Sequence, residues 1–498
     1  MATAQYGSTS ALWPLLNLST TMWSADRPPV EASWMMLERF VFRRDDDDDE
    51  DGSGSSAFPD EAAAPLRANS VTSLGDPFAV ALLPAAPPAF SRLYVQWPRG
   101  PRDYDGSDTG TELLSAHRDL LLLSLASELS LDDSDPYRQD YFVFHAALGA
   151  GESRLRRLPA CTIPIVLKLW GDDTTMDRWF NRDTIGIHCG RNDFTVLQLA
   201  KFCVSAKDSA MGAELCVFRS PLCTTDGSDD NVAEGKWEIL TLPIQHTKEE
   251  FTDLTCWNTD ATIISNDCVI WVDYHQGGIL SYKPCHDNAL ETRPRRIIYY
   301  SRLPIKNRPR DSSPSGETHE MCRSLCVARK EGDLLKFVDV ARDDGTFFGP
   351  VDPYSSFTIT CHARASSEDN VWHKEAVITS QTFRRLAARK RLLPYNCVPM
   401  FPLVNRDEPD LIHFIVCEPR DNVDKLSVVV IDIIKEAIVS VSPYIQGEED
   451  LCGKDADMVR HRCRLLQSFL PVSSPTCSQL ISQVLIYIPH VYFLHIVF

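Results

Sequence analysis

Short strand-like runs recur along the chain in units of a few strands, and this repetition constrains the fold more than any other feature. Each unit has a run rich in Val, Ile, Leu or aromatic residues, then a polar turn and a second run, as in residues 193–244, 268–305, 324–378 and 411–445. Successive units are 61, 73 and 66 residues apart, measured between Pro243, Pro304, Val377 and Pro443. Radial β folds repeat in this way with a period of about 40–50 residues, so these spacings imply long inserted loops. We predict a mainly β fold of repeated antiparallel β-meanders, β-propeller-like, with two packed β-sandwiches as the alternative.

Local signals support hairpins and a single helix. The turn Gln276-Gly277-Gly278 supplies residues that tolerate positive φ between two strand-like runs. Over residues 381–393, Phe383, Leu386 and Leu393 fall near helical spacing, and Pro394 follows. We therefore predict one short helix there.

Composition changes along the chain predict its organisation. Residues 45–51 read DDDDDED and are followed by GSGSS; an unbroken block of like charge stays solvated and is expected to bind no specific ion. The predicted segments are a flexible leader (1–30), a short apolar segment (31–44), an acidic and Gly/Ser linker (45–76), an N-terminal β-rich region (77–259), a central domain (260–395), a C-terminal β region (396–463) and an uncharged tail (464–498).

Charge and cysteine content exclude several classes of protein. With 50 Lys and Arg against 69 Asp and Glu, the net charge of −19 argues against nucleic acid as a partner, because phosphate binding needs a concentrated basic face. Sixteen cysteines, many single and inside apolar runs, suit a reducing compartment, and the N-terminus lacks the basic region of a signal peptide. We expect a cytoplasmic or nuclear protein.

Residues 480–498 carry no charge, so the alternative is a protein held at a membrane by a tail anchor. Two other interpretations of this segment are a buried strand and an aberrant coding end.

No motif identifies a reaction. Asp108-Thr109-Gly110 occurs once, in a polar loop, whereas aspartic protease chemistry needs two such carboxylates. His319, Cys322 and Cys326 have ligand-like spacing, but a structural zinc site needs a fourth ligand, which Cys361-His362 would supply only through a tertiary contact. The basic stretches 293–310 and 384–391 are expected to be a solvated strand and a helix face. We predict no catalytic, metal-binding or cofactor-binding residue and no cofactor.

One hairpin resembles a known family. Trp271-Val272-Asp273-Tyr274 followed by Gly278-Ile279-Leu280 is similar to the hallmark hairpin of plant proteins that carry domain of unknown function 1618, a family expanded in grasses. Further similar segments include WMMLERFVFRR (34–44), SRLYVQWP (91–98) and WEILTLP (237–243). The resemblance implies no catalytic residue, cofactor or substrate.

These observations together predict a non-catalytic protein-interaction scaffold or adaptor with an unknown protein partner. The alternative is an enzyme or carbohydrate-binding module with a site at the propeller centre. For the hairpin, the two-residue period of a strand predicts that Trp271 and Tyr274 face opposite sides and that Trp271 is buried.

Overall fold

Strands make up nearly all the regular structure, which confirms the mainly β fold. The computed structural model describes residues 33–44, 58–62, 64–101, 110–128, 137–147, 154–169, 172–176, 178–205, 210–222, 232–266, 268–284, 297–305, 319–329, 332–344, 356–365, 371–390, 393, 397–418, 425–444 and 469–473. The acidic block 45–51, Asp108-Thr109 and residues 480–498 therefore lie outside the described residues.

The described strands are, in chain order, β1 Trp34–Arg43, β2 Leu66–Val71, β3 Pro77–Leu83, β4 Phe90–Gln96, β5 Thr111–His117, β6 Leu120–Glu128, β7 Tyr137–His145, β8 Leu155–Arg157, β9 Ile165–Leu169, β10 Asp172–Met176, β11 Ile185–Cys189, β12 Asp193–Ser205, β13 Ala210–Pro221, β14 Trp237–Gln245, β15 Ala261–Ile264, β16 Val269–Asp273, β17 Gly278–Tyr282, β18 Ile298–Arg302, β19 Arg323–Arg329, β20 Asp333–Arg342, β21 Phe357–Ala365, β22 His373–Thr379, β23 Met400–Val404, β24 Leu411–Glu418, β25 Lys425–Asp432, β26 Ala437–Pro443 and β27 Leu470–Ser473.

These strands form six sheets, five of which are four-stranded antiparallel meanders of consecutive strands. Sheet 1 has the order β2-β3-β4-β1-β27; sheets 2 to 6 are β5–β8, β11–β14, β15–β18, β19–β22 and β23–β26. Sheets 3 and 4 also join at their outer strands, where β14 pairs in parallel with β18. The hairpin of β9 and β10 stands apart from the six sheets.

The six sheets are arranged in a ring, because each one packs against the next. Separate buried clusters lie between sheets 1 and 2, 2 and 3, 3 and 4, and 4 and 5, and a large cluster joins sheet 6 to both sheet 5 and sheet 1. The first strands are in contact around the centre: β5 with β11, β11 with β15, β15 with β19, and β19 with β23. This closed order is that of a propeller, and it excludes two packed sandwiches.

The ring is closed by strands from the two ends of the chain. β27 pairs antiparallel with β1, from Trp34 opposite Ser473 to Leu37 opposite Leu470, and β1 pairs in parallel with β4. Phe469, just before β27, stacks on Phe90 of sheet 1 with ring centroids 4.3 Å apart. β27 lies within the segment predicted as the uncharged tail, 464–498. β2, a short polar strand that pairs with β3, lies within the segment predicted as the linker, 45–76.

Two α-helices are described, against the one predicted. The predicted helix is confirmed as α2, Ser380–Lys390, with Phe383, Leu386 and Ala387 buried. The second, α1, Phe251–Thr255, spans five residues, too few for periodicity to reveal. A 3₁₀ turn covers His319–Met321. Among the described residues, no helix has the length and apolar character to cross a membrane.

We expect the closing strand to be essential for stability. Val472 in β27 is fully buried, so Val472→Asp places an uncompensated charge between sheets and should lower the free energy of unfolding by about 3–5 kcal/mol. The control is Val439→Asp, since Val439 is 51% exposed on the outer strand β26 and its replacement should cost about 0.5 kcal/mol or less. Chemical denaturation measures both, and equal midpoints for the two variants would contradict the closing role of β27.

A buried histidine beside this junction predicts a pH dependence. His413 in β24 is 4% exposed, its ring lies edge-on to Trp34 at 5.8 Å, and neither ring nitrogen has a partner among the described residues. Burial lowers the pKa of His413 to about 4. In the unfolded chain His413 has its ordinary pKa of about 6.5, so the unfolded state takes up the proton first as the pH falls. The contribution of the neutral, buried His413 to stability is therefore complete above pH 6.5 and is lost toward pH 4.

His413→Phe should therefore reduce the loss of stability between pH 6.5 and pH 4, by at most about 3 kcal/mol. Denaturation midpoints across this pH range test it. His373→Phe on the outer strand β22, where His373 is exposed, is the matched control. The same pH slope in His413→Phe and in the unmodified chain would refute the assignment.

Candidate functional site

The inner strands give the ring axis two chemically different ends. β5, β11, β15 and β19 begin at one end, called here the N-terminal end, and finish at the other, the C-terminal end. Charged groups from several sheets approach one another at each end, which the order of strands around the axis makes possible.

Arg39 of β1 is a buried cation at the N-terminal end. It is 5% exposed, its Nη1 donates to the carbonyl of Leu114 at 3.4 Å, and its Nε has no acceptor among the described residues. Burial lowers the pKa of Arg39, and Glu320 acts in the opposite direction as the largest favourable charge. Arg182, Asp183 and Glu112 act on it as well. These groups belong to sheets 2, 3 and 5, so they meet the guanidinium around the axis.

Asp260 and two histidines form a line at the same end. Asp260 precedes β15, and one of its carboxylate oxygens accepts the backbone N–H groups of Tyr274 at 2.6 Å and His275 at 3.3 Å. Its other oxygen lies 3.7 Å from Nδ1 of His319, whose Nε2 is 3.2 Å from Nδ1 of His275. The backbone contacts hold Asp260 in place, and its separation from His319 is that of an ion pair with a protonated ring, longer than a hydrogen bond. The arrangement can carry a proton or bind a polar group.

The hallmark hairpin connects three sheets. Trp271 is fully buried between sheets 3 and 4, and its Nε1 donates to the carbonyl of Thr184 at 2.8 Å. Tyr274 is buried on the other side, between sheets 4 and 5, and its hydroxyl accepts the N–H of Leu325 at 2.9 Å. The prediction that Trp271 and Tyr274 face opposite sides is confirmed.

The turn of this hairpin depends on Asp273 and two glycines. The Asp273 carboxylate accepts the N–H groups of Asn258 at 2.9 Å and Gln276 at 2.6 Å, and burial raises the pKa of Asp273 to about 6. Gly277 has φ of +80°, as the turn chemistry predicted. A Cβ at Gly278 would come 2.7 Å from the Tyr300 ring. Three of the four motif residues thus have structural roles in this hairpin.

The possible zinc ligands do not come together. Cys322, Cys326 and Cys361 are buried in the cluster between sheets 5 and 6, and burial raises the pKa of each thiol, to about 12 for Cys322 and Cys361. His319 instead lies beside Asp260. Within the described ranges, no group of three or more His, Cys, Asp or Glu could hold a metal ion.

The basic stretch 293–310 is described only over residues 297–305, where it forms β18. Tyr299 is exposed, whereas Tyr300 is buried and donates from its hydroxyl to Asp253 at 3.3 Å. Arg302 donates to the same carboxylate at 2.8 Å. One tyrosine and one arginine of this stretch are therefore engaged within the fold.

Sequence reasoning missed the groups at the N-terminal end. Four different sheets contribute these groups, and no short motif links them: Arg39, Glu112 and Asp183 come from sheets 1, 2 and 3, and Asp260 and His275 from sheet 4. A recurring signal does exist, because Glu112, Asp183, Asp260 and Glu320 all lie within three residues of the start of an inner strand. Aligning the strand starts would have revealed it.

Comparison with known proteins supports the resemblance over part of the chain. Residues 271–413, from the hallmark Trp271 to His413 in β24, match the family "Protein of unknown function (DUF1618)". No curated protein matches the chain. Two solved structures of a PL25 ulvan lyase, one bound to a GlcA(1-4)Rha3S oligosaccharide, show 9% identity and a TM-score of 0.29, with 83% of this chain and 86% of theirs covered. Likeness at that TM-score carries no argument about function.

The hairpin analysis predicts a large effect at Trp271. Trp271→Ala removes a fully buried indole and should lower the free energy of unfolding by about 3–5 kcal/mol. Trp271→Phe keeps most of the buried aromatic surface and removes one of the two hydrogen bonds to the Thr184 carbonyl, which still accepts the N–H of Leu199, so it should cost about 0.5–1.5 kcal/mol. Thermal unfolding of both variants tests whether Trp271→Ala is less stable than Trp271→Phe. A Trp271→Ala protein that melts with the unmodified chain would overturn the role assigned to the hairpin.

Proposed function

We propose that the protein is a non-catalytic interaction scaffold or adaptor that binds a protein partner at the N-terminal end of its ring. The observation that carries the proposal is Trp179, which is 42% exposed on the segment leading into β11, beside Arg182 and Asp183. Exposed tryptophans beside charged groups are typical centres of protein interfaces. Among the described residues, the other exposed large apolar side chains are Tyr299 on sheet 4 and aliphatic pairs on sheets 1, 5 and 6 (Val71 and Leu74, Val371 and Val377, Ile434 and Val439). Exposed aliphatic residues of this kind are common on protein surfaces, whereas tryptophan is enriched at interfaces.

The described thiols and histidines favour binding over chemistry. Burial raises the pKa of Cys189, Cys322 and Cys397 to about 12 and lowers the pKa of His117 and His413, so these groups stay neutral. Cys161 is the exception. Its Sγ is 3.8 Å from that of Cys216, and this contact lowers the pKa of Cys161 to about 7. The pair lies between sheets 2 and 3, apart from the axis groups.

The proposal extends to origin and compartment. The resemblance of the hairpin and of segments 34–44, 91–98 and 237–243 supports a plant protein of the grass-expanded group. The described cysteines are free thiols, which supports a reducing compartment, the cytoplasm or the nucleus.

A carbohydrate-binding module or enzyme is the second candidate. The line from Asp260 through His319 to His275 favours it, because an imidazole beside a carboxylate can serve as a general acid or base. Such a site needs substrate, so it predicts that His319→Gln abolishes the binding of a sugar or the turnover of a substrate.

The two candidates are separated by comparing two aromatic variants. Trp179→Ala should lose at least about tenfold in affinity for the partner recovered from plant tissue, because an interface tryptophan commonly contributes 2 kcal/mol or more. Tyr299→Ala is the control, since Tyr299 is 50% exposed on the outer strand β18. Quantitative mass spectrometry after affinity purification identifies the partner, and calorimetry with the purified partner measures both variants.

Equal loss in the two variants, or no partner enriched by the unmodified chain, contradicts the scaffold proposal. A calorimetric signal with soluble oligosaccharides that disappears in His319→Gln but persists in Trp179→Ala favours the second candidate instead.

A further inference from the structure

The C-terminal end of the axis contains a buried imidazole with a donor that no described residue accepts. His117, the last residue of β5, is 4% exposed, and its ring stacks on His188 with centroids 5.1 Å apart. Its Nδ1 accepts the backbone N–H of Cys189 at 2.9 Å. The neutral ring therefore carries its proton on Nε2, and this buried N–H has no acceptor among the described residues.

Three arginines from three sheets surround this imidazole. Arg118 follows β5, Arg329 ends β19, and Arg406 lies two residues beyond β23. All three charges act on the His117 ring. Sheets 5 and 6 are not neighbours of sheet 2 in the ring, so Arg329 and Arg406 reach His117 across the axis. The backbone N–H of Arg329 donates to the carbonyl of Arg406 at 2.8 Å, which fixes the two strand ends together.

Two carboxylates near Arg406, those of Asp333 and Asp407, also accept hydrogen bonds from other groups. Asp333 accepts the backbone N–H of Asn266 at 2.9 Å and its side-chain amide at 2.7 Å. Asp407 accepts the hydroxyl of Ser33 at 2.6 Å. Arg406 is 7% exposed, and burial, followed by the charge of Arg329, lowers its pKa to about 10. Arg118 has a mixed environment, because its Nη1 donates to the carbonyl of Gly190 at 3.4 Å and Asp119 and Asp193 act together with it on the Cys189 thiol. The charges of Arg329 and Arg118 nevertheless oppose that of Arg406.

We propose that the C-terminal end of the axis is a binding site for one tetrahedral oxyanion, phosphate or sulfate, free or as the terminal group of a small molecule. Guanidinium groups bind such oxygens through paired N–H donors. Arg118, Arg329 and Arg406 come from the strand ends of three different sheets, and Nε2 of His117 adds a neutral donor. A tetrahedral anion accepts from several directions at once and offsets the repulsion between the arginines, whereas a planar carboxylate engages fewer of them.

Calorimetry with the full chain tests the site, using inorganic phosphate and, separately, inorganic sulfate, each against chloride at equal ionic strength. The unmodified chain should bind at least one of the two oxyanions. Arg329→Gln should weaken this binding about tenfold, because a hydrogen bond to a charged group contributes about that factor. Arg329 is exposed, so the substitution should leave the melting temperature in chloride unchanged.

Arg385→Gln is the matched control, because it removes the same charge from α2, where Arg385 is 60% exposed and 3.9 Å from Glu436. Arg118→Gln is the second test variant and should weaken binding like Arg329→Gln. Retained affinity in Arg385→Gln with loss in both test variants supports the site. The proposal is wrong if neither oxyanion binds at concentrations up to millimolar, or if Arg385→Gln weakens binding as much as the two test variants do.

Discussion

The pairing of β1 with β27 is the interaction on which the rest of the structure depends. Each of the six sheets buries both faces against its neighbours, and the clusters follow one another around the ring. A meander of four strands has no core of its own in such an arrangement, so its stability comes from the sheets on either side. Four residues near the end of the described chain therefore complete a structure that begins at Trp34.

Side-chain hydrogen bonds reinforce nearly every boundary between sheets. Trp271 bonds to Thr184 of sheet 3 and Tyr274 to Leu325 of sheet 5, while Nζ of Lys336 donates to the carbonyl of Pro409 in sheet 6 at 2.8 Å. The hydroxyl of Tyr444 donates to Glu38 and connects sheet 6 with sheet 1. These bonds are directional, so they set the angle between sheets that apolar packing alone leaves free. Trp271 and Tyr274 of the hairpin therefore have a structural role, since they join sheet 4 to the sheets on either side of it.

The sequence was informative where the signal is local. The two-residue period placed Trp271 and Tyr274 on opposite faces, and helical spacing located α2, because both depend only on neighbouring residues. β2, with the sequence LRANSV, was missed because it is short and polar, and β27 because its partner β1 lies more than 400 residues away. Arg39 and the carboxylates around it were missed for the same reason. Their proximity comes from ring closure, which no local pattern encodes.

The two ends of the axis differ in charge, and this difference bears on how the ring is held together. Carboxylates from sheets 2, 3 and 5 surround Arg39 at the N-terminal end, so the buried cation is compensated by the chain itself. At the C-terminal end, arginines from sheets 2, 5 and 6 repel one another. The oxyanion proposed for this end would connect sheet 2 with sheets 5 and 6, with which it shares no buried cluster, and would stabilise the closed ring by an amount that grows with its concentration. Ring closure and anion binding would then be linked, because the pairing of β27 with β1 and the bound anion would both stabilise the closed ring.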